Sequence, residues 1–126
     1  TKVMTFEKRR SRQSEPLDIQ YQGRRLKEVN EYKYLGTIFS HNLKFTDALE
    51  MTLEKARKGA SAFWRYVSRF RSMKTSEILE LFHKMVVPIM TYNCEIWAAP
   101  LSKKDSYRLE AFYMKHLKKL LGVGRR

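Results

Sequence analysis

Residues 46–70 read TDALEMTLEKARKGASAFWRYVSRF, and the apolar spacing in this stretch decides the fold. Apolar side chains recur at alternating steps of four and three residues, at Leu49, Leu53, Ala56, Ala60, Phe63, Val67 and Phe70. An α-helix completes a turn in about 3.6 residues, so this spacing places them on one face and predicts an amphipathic helix. Thr46 is suited to cap its N-terminus. Gly59 destabilises a helix by about 1 kcal/mol relative to alanine, so we expect another segment to pack closely against it.

The opposite face of this helix carries a row of cations. Lys58, Arg65 and Arg69 form the row, and Lys55 flanks it. Such a row, roughly 16 Å long, can neutralise several nucleic-acid phosphates without reading base sequence. A solvated helix face is the alternative. Glu50 and Glu54 favour that alternative, but no acidic residue follows Glu54 in the stretch, and we favour binding.

The residues before the helix have the short alternating patterns of β-strands. A strand is predicted over residues 2–6, and a hairpin is predicted over residues 17–29, turning at Gln22-Gly23, with Leu26 and Val29 facing inward. Residues 32–39 predict one further strand around Gly36, because aromatic and β-branched residues flank the glycine. The run Lys8-Arg9-Arg10-Ser11-Arg12, which precedes Pro16, predicts an exposed loop.

Two more helices are predicted after the first. Thr75 or Ser76 can cap the second, and Pro88 must kink this helix or split it at about Val87. Apolar periodicity resumes as far as Trp97, which favours the kink. Ser102 and Asp105 resemble a capping box for the third, which Gly122 ends. The sequence therefore predicts an α+β fold, with a small β unit over residues 1–45 and a three-helix bundle over residues 46–126.

The chain is strongly basic along its whole length. It has 126 residues, 26 Lys and Arg against 13 Asp and Glu, and a net charge of +13. Residues 1–45 hold 10 basic and 5 acidic residues, and residues 46–126 hold 16 and 8. Because both halves are basic, the positive charge is not confined to a terminal arm. Such a charge favours a polyanionic partner.

Several kinds of chemistry are not predicted. The single cysteine, Cys94, excludes an internal disulfide or a multi-cysteine zinc site, and no apolar run reaches the length of a membrane span. Paired carboxylates for a two-metal site are not predicted, because separate elements hold Asp18, Asp47 and Asp105. A metal site on a helix is not predicted either, because no second metal-ligating side chain follows three or four residues after His41, His83 or His116. We expect no catalytic residue, no metal and no cofactor in this chain.

Ordered motifs resemble one protein family. Residues 1–6 read TKVMTF, residues 32–36 read YKYLG, and Lys55-Ala56 opens a helical segment. They are followed by Val87-Pro88 with Tyr92, Glu95 and Trp97, and then by a segment from Leu109-Glu110 to Gly122-Val123. In order and spacing these motifs resemble the end of the palm and the thumb of non-LTR (LINE-type) retrotransposon reverse transcriptases.

The resemblance implies a function for named residues. Lys33, Tyr34, Leu35 and Gly36 would form the primer grip, and Lys55, Lys58, Arg65 and Arg69 would contact the template–primer duplex. Pro88, Tyr92 and Trp97 would lie in the thumb core, and the strand over residues 2–6 would pack against that over 34–39. The family's catalytic aspartates, and with them its Mg²⁺, would lie before Thr1, so both chain ends look cut.

The partners implied are an RNA template, a DNA primer or their hybrid, and the remaining palm and fingers of the parent enzyme. An intracellular location, cytoplasmic or nuclear, is expected. A basic helical module that binds protein, derived from such an element, is the alternative function. An inert genomic remnant is a third possibility, which only expression data address.

Overall fold

The computed structural model describes residues 1–6, 18–70 and 72–123. The predicted loop over residues 8–16 and the first residue of the predicted hairpin lie outside the described residues. The chain divides into two compact units, Thr1–Ala48 and Leu49–Arg126, whereas the sequence places the boundary between residues 45 and 46. Short strands precede helices along the chain, which confirms the predicted α+β class.

The first unit contains six short strands, paired two by two. In chain order they are β1 (Lys2–Val3), β2 (Gln20–Tyr21), β3 (Arg24–Arg25), β4 (Lys27–Glu28), β5 (Glu31–Tyr34) and β6 (Thr37–Ser40). The β2–β3 pair is the hairpin predicted at Gln22-Gly23, where both residues take positive φ, 51° and 72°. Two consecutive positive φ angles match the right-handed twist of the flanking strands, which favours this turn. Leu26 and Val29 are half-buried among exposed neighbours, as predicted.

The single strand predicted over residues 32–39 is wrong, because the chain reverses inside it. Strands β5 and β6 form an antiparallel hairpin, with Tyr34 opposite Thr37 and a turn at Leu35-Gly36. Strand β1 pairs in parallel with β4, and not with this hairpin. The expected packing survives only as an edge contact between the rings of Phe6 and Phe39, with centroids 6.4 Å apart.

Helix α1 (Thr46–Val67) has the predicted amphipathic form. The apolar stripe from Leu49 to Phe63 is buried, and Val67 is half-buried. Phe70 was expected to continue the stripe, but it lies beyond the helix and is 46% exposed. The close packing expected at Gly59 is present, since a Cβ there would lie 2.5 Å from Cδ1 of Ile89.

The second predicted helix is three separate helices: the chain splits at Val86, next to the position predicted for a kink or a split, so the split and not the favoured kink is found. They are α2 (Thr75–Met85), α3 (Val87–Thr91) and α4 (Cys94–Trp97). Pro88 lies in the first turn of α3, where a missing N–H leaves no helical bond unmade. Asn93, with φ 52°, separates α3 from α4. At the start of α2 the N-cap is Lys74, not Thr75 or Ser76.

Helix α5 (Lys103–Leu120) begins and ends as the sequence predicts. The Asp105 backbone N–H donates to Ser102 Oγ at 3.1 Å, which caps the first turn. At the other end Gly122 takes φ 68°, and the Val123 N–H donates to the Lys118 carbonyl at 2.9 Å. This Schellman arrangement satisfies carbonyls that the helix end would otherwise leave without donors.

The core of the second unit joins α1, α2, α3 and α5. Its buried members are Ala56, Ala60, Phe63, Phe82, Val86 and Met90. Trp97 is also buried, at 1% exposure, as the resemblance implied. The other two residues implied for the core are on the surface, because Pro88 is exposed and Tyr92 is 54% exposed.

Candidate nucleic-acid interface

Helix α1 presents three of the four predicted cations on its outer face. Lys55, Lys58 and Arg65 are all exposed, and their orientation is fixed because the opposite stripe is buried in the core. Lys58 and Arg65 are seven residues apart, about 10 Å along the axis. A rigid helix therefore holds these cations at a spacing that suits successive phosphates.

Arg69 does not belong to the helical row. Helix α1 ends at Val67, and Ser68 Oγ donates back to the Arg65 carbonyl at 2.9 Å. The Arg69 N–H donates to the Tyr66 carbonyl at 3.0 Å in the following turn. Its guanidinium is exposed, but the helix does not fix its direction as it does for Lys58 and Arg65.

Part of the row's charge is offset within α1 itself. Lys58 Nζ lies 2.8 Å from Glu54 Oε1, one turn earlier on the same face. The hydrogen bond from Lys58 lowers the pKa of Glu54, so this carboxylate stays ionised at neutral pH. Within the described ranges, neither Lys55 nor Arg65 has an ion-pair partner. These two side chains are therefore the ones most ready to meet a phosphate.

The acid at the start of the helix has a different, structural role. Glu50 pairs with Arg57 at 3.3 Å and with Arg108 of α5. Arg108 also lies 3.4 Å from Asp105. Hydrogen bonds from Arg108, and then from Arg57, lower the pKa of Glu50. This network links α1 to α5 and adjoins the Lys58–Glu54 pair one turn further along α1.

In the first unit, the predicted primer-grip residues form the tip of the β5–β6 hairpin. Leu35 and Gly36 occupy the two turn positions, with φ 46° and 82°. Tyr34 is 59% exposed and Leu35 is 69% exposed. Because side chains alternate along a strand, Tyr34 shares a face with Tyr32, while Lys33 projects from the other face. The hairpin therefore groups two tyrosines near an apolar tip and directs Lys33 away from them.

The backbone of Leu35 is unusual for its residue type. In the left-handed region Cβ lies close to the carbonyl oxygen. This crowding destabilises the conformation by about 1–2 kcal/mol for residues other than glycine. Asparagine and glycine are the residues that usually occupy such turn positions. Leu35 takes this conformation because the two-residue turn between β5 and β6 has positive φ at both of its positions.

Trp64 is held by contacts within the second unit. Its Nε1–H donates to His116 Nδ1 at 2.9 Å, and Lys119 Nζ lies 4.1 Å from the ring centroid. Burial, and then the charges of Lys115 and Lys119, lower the pKa of His116. The neutral imidazole can therefore accept the tryptophan N–H. The indole is half-buried, and its N–H and ring are already engaged by His116 and Lys119.

The sequence did not predict the surface beside Trp64. Lys115, Lys118 and Lys119 follow one another on the last turns of α5, where their charges were attributed to the helix end. Trp64 and His116 are 52 residues apart in the chain, so no local sequence pattern predicts that they form a hydrogen bond. The spacing of these lysines relative to Ala111 and Met114 could have indicated the surface. At helical periodicity it places cations beside a strip of apolar side chains.

The aspartates have partners that do not suit a metal centre. Asp18 lies 3.1 Å from Arg25, and Asp105 accepts a hydrogen bond from Ser102 and pairs with Arg108. In residues 1–6, 18–70 and 72–123, no three His, Cys, Asp or Glu side chains are grouped so that they could hold a metal ion. None of the helices in these ranges is long and apolar enough to cross a lipid bilayer.

No protein family, curated protein or solved structure matches this chain. The fold class follows from the order of strands and helices along the chain. A function must therefore be argued from the cations of α1, the hairpin tip and the motifs that carry the resemblance.

Proposed function

We propose that this chain is a nucleic-acid-binding piece of a non-LTR retrotransposon reverse transcriptase, made of the palm edge and the thumb. It grips the primer and the template–primer duplex through their backbones and has no catalytic residue of its own. The observation that carries the proposal is the outer face of α1, where Lys55, Lys58 and Arg65 are exposed opposite a buried stripe. The order and spacing of the sequence motifs support the family.

The cations of α1 act on the duplex through its phosphates. Lys55 and Arg65 are not committed to acids in the described part of the chain, and Lys58 exchanges Glu54 for a phosphate oxygen on binding. The Lys58–Glu54 pair is solvent-exposed on both sides, so little is lost when it opens. Each neutralised phosphate releases counterions, so binding weakens as salt increases and depends little on base sequence.

The hairpin tip contacts the primer strand. Tyr34 and Leu35 offer an aromatic ring and an apolar side chain to the sugar edge, and Gly36 permits a close approach of the primer backbone. The exposure of Tyr34 and Leu35 supports this role. Lys33, on the other face of β5, would contact a phosphate from the opposite side of the strand.

The partners proposed are an RNA template and a DNA primer, singly or as a hybrid. The remaining palm and fingers of the parent enzyme would supply the catalytic aspartates and their Mg²⁺. An intracellular location, in the cytoplasm or the nucleus, follows from these partners.

The proposal is tested by measuring binding of the full chain to an RNA–DNA hybrid duplex over a series of salt concentrations. We expect affinity to fall steeply with salt and to change little when the base sequence is shuffled. Charge reversal of Lys58, Arg65 and Arg69 together should lower affinity by about a hundredfold or more at low salt, because the cations that meet phosphates become repulsive. The helical circular dichroism should be unchanged.

The matched control reverses three exposed lysines of the second unit that lie outside the row. The variant K84E/K103E/K104E has the same change in net charge as K58E/R65E/R69E. Binding by the control should stay within about threefold of the unchanged chain, after allowance for the lower net charge. Equal losses in the two variants, or normal binding by K58E/R65E/R69E, would refute the assignment of the row.

A further inference from the structure

A groove in the second unit lies between the end of α1 and the last turns of α5. It has a volume of 980 Å³, and Trp64 and Val67 line it from one side. Ala111 and Met114 of α5 line the other. The groove shares none of Lys55, Lys58, Arg65 and Arg69, so it is a separate surface from the proposed nucleic-acid interface.

The charges around the groove have one dominant sign. Lys115, Lys118 and Lys119 line it, and Glu110 is the one acidic residue among its lining side chains in the described part of the chain. Lys115 and Lys118 are exposed, and Lys119 lies over the Trp64 ring. An apolar strip with cations along its edge complements a ligand that is apolar on one side and anionic on its flanks.

Base stacking is a poor match for this groove. Trp64 lines it next to α1, but the N–H and ring of Trp64 already engage His116 and Lys119. Among the described lining residues this leaves the ring of Tyr107, which is 70% exposed, and a single ring is a small platform for stacked bases. Val67, Ala111 and Met114 offer aliphatic surface without the hydrogen-bond donors and acceptors that read bases. Aliphatic surface of this kind suits leucine-rich side chains.

The size of the groove also matches a short helix. Two turns of an α-helix, about 11 Å long and 10 Å wide, occupy roughly 850 Å³. We propose that this groove binds a short acidic amphipathic helix of a partner protein. Its apolar stripe lies on Val67, Ala111 and Met114, and its carboxylates lie beside Lys115 and Lys118. A second copy of this chain is a poor occupant, because its net charge of +13 would repel the lysines.

The test uses a fluorescein-labelled two-heptad peptide with leucines on one helical face and glutamates beside them. Binding to the full chain is followed by anisotropy. The site is identified by fluorine NMR after incorporation of 5-fluorotryptophan. The two tryptophans give separate reporters, since Trp64 lines the groove and Trp97 is buried elsewhere in the unit. We expect saturable binding at one site, with a shift of the Trp64 resonance and none at Trp97.

Two independent variants test the position of the peptide. Ala111→Leu fills the apolar strip from an exposed position on α5, and K115E/K118E reverses the flanking charge. Each should weaken peptide binding by about tenfold or more, the first by steric exclusion and the second by repulsion. The control K103E/K104E, on the first turn of the same helix, should change binding by less than about twofold.

Control peptides and an oligonucleotide test which kind of ligand the groove binds. A peptide of the same composition with a scrambled stripe, and one with lysine in place of glutamate, should not bind. Equal binding by either peptide, or no binding by the acidic peptide, overturns the proposal. A short oligouridine that shifts Trp64 and is excluded by Ala111→Leu would make the groove a nucleic-acid site and would also overturn it. Hybrid-duplex binding through α1 should persist in Ala111→Leu, so failure of this proposal leaves the proposed function untouched.

Discussion

The two units hold their candidate binding residues in different ways. In the second unit, Lys58 and Arg65 project from a long helix whose other face is buried against Phe82 and Val86. In the first unit, Tyr34 and Leu35 lie at the tip of a hairpin whose β5 side chains are all exposed. Long-range packing positions the cations, whereas turn geometry positions the hairpin tip.

This difference predicts which substitutions affect binding without affecting folding. On α1 the cations Lys55, Lys58 and Arg65 can be changed with little effect on packing, because the buried stripe on the opposite face makes the contacts with the core. At the hairpin tip no such separation exists, since Leu35 is both the contact residue that we propose and part of the turn. The following substitutions test this contrast.

The largest effect is expected in the core of the second unit. Phe82 is fully buried, and its ring lies 5.4 Å from that of Phe63 and 6.1 Å from that of Tyr113. Phe82→Ala should lower the free energy of unfolding by about 3–5 kcal/mol, because it leaves a cavity that the helices cannot close. Chemical denaturation followed by circular dichroism measures the change.

Tyr34→Ala is the matched change in the first unit. Tyr34 is exposed, so the same helical signal should move by less than about 0.5 kcal/mol. A comparable loss of helical stability from Tyr34→Ala would break the contrast between the two units.

An intermediate effect is expected from protonation of His116. Burial, and then Lys115 and Lys119, lower the pKa of this side chain in the folded state, and the neutral ring accepts the Trp64 N–H. Above the ordinary value of 6.5 both folded and unfolded states hold the neutral ring, so this contribution to stability is complete. As pH falls below 6.5 the unfolded state binds a proton first, and stability falls through the folded pKa.

The measurement is the free energy of unfolding as a function of pH, with His116→Gln in parallel. The variant should lose the part of the pH dependence that begins near pH 6.5. An unchanged profile in His116→Gln would show that the Trp64–His116 bond does not control the acid sensitivity of the second unit.

The smallest effect is expected at the hairpin tip. Asparagine tolerates the left-handed region better than leucine, so Leu35→Asn should stabilise the β5–β6 hairpin by about 0.5–1 kcal/mol. Amide hydrogen exchange at Tyr34 and Thr37 should slow accordingly, while the unfolding of the helices should be unchanged. Faster exchange in Leu35→Asn would mean that the leucine side chain, and not the turn, maintains the hairpin.

Features with a strong local pattern could be predicted from the sequence. The buried stripe of α1, the Ser102 cap and the Gln22-Gly23 turn each depend on residues close together in the chain. Gly59 could also be interpreted correctly, because a glycine inside a helix indicates close packing. Of the candidate site, the exposure of Lys55, Lys58 and Arg65 follows from the same periodicity as the stripe.

Other features could not be predicted because the local pattern points elsewhere. Leu35 is a poor turn residue, so residues 32–39 had the composition of one strand. The break at Asn93 lies within apolar periodicity that continues to Trp97. Arg69 and Phe70 extend the helical spacing past Val67, where the chain turns. The Trp64–His116 bond and the groove beside it join distant segments, and periodicity within one helix cannot reveal them.

The contact between Trp97 and the Tyr92 carbonyl has an evolutionary consequence. Trp97 Nε1–H donates to this oxygen at 2.9 Å across the break between α3 and α4. A change to phenylalanine at position 97 would keep most of the buried volume but would remove this hydrogen bond across the break. Changes at the break and at position 97 are therefore epistatic: either is tolerated more readily once the other has occurred. In related chains we expect an uninterrupted helix to accompany loss of the tryptophan.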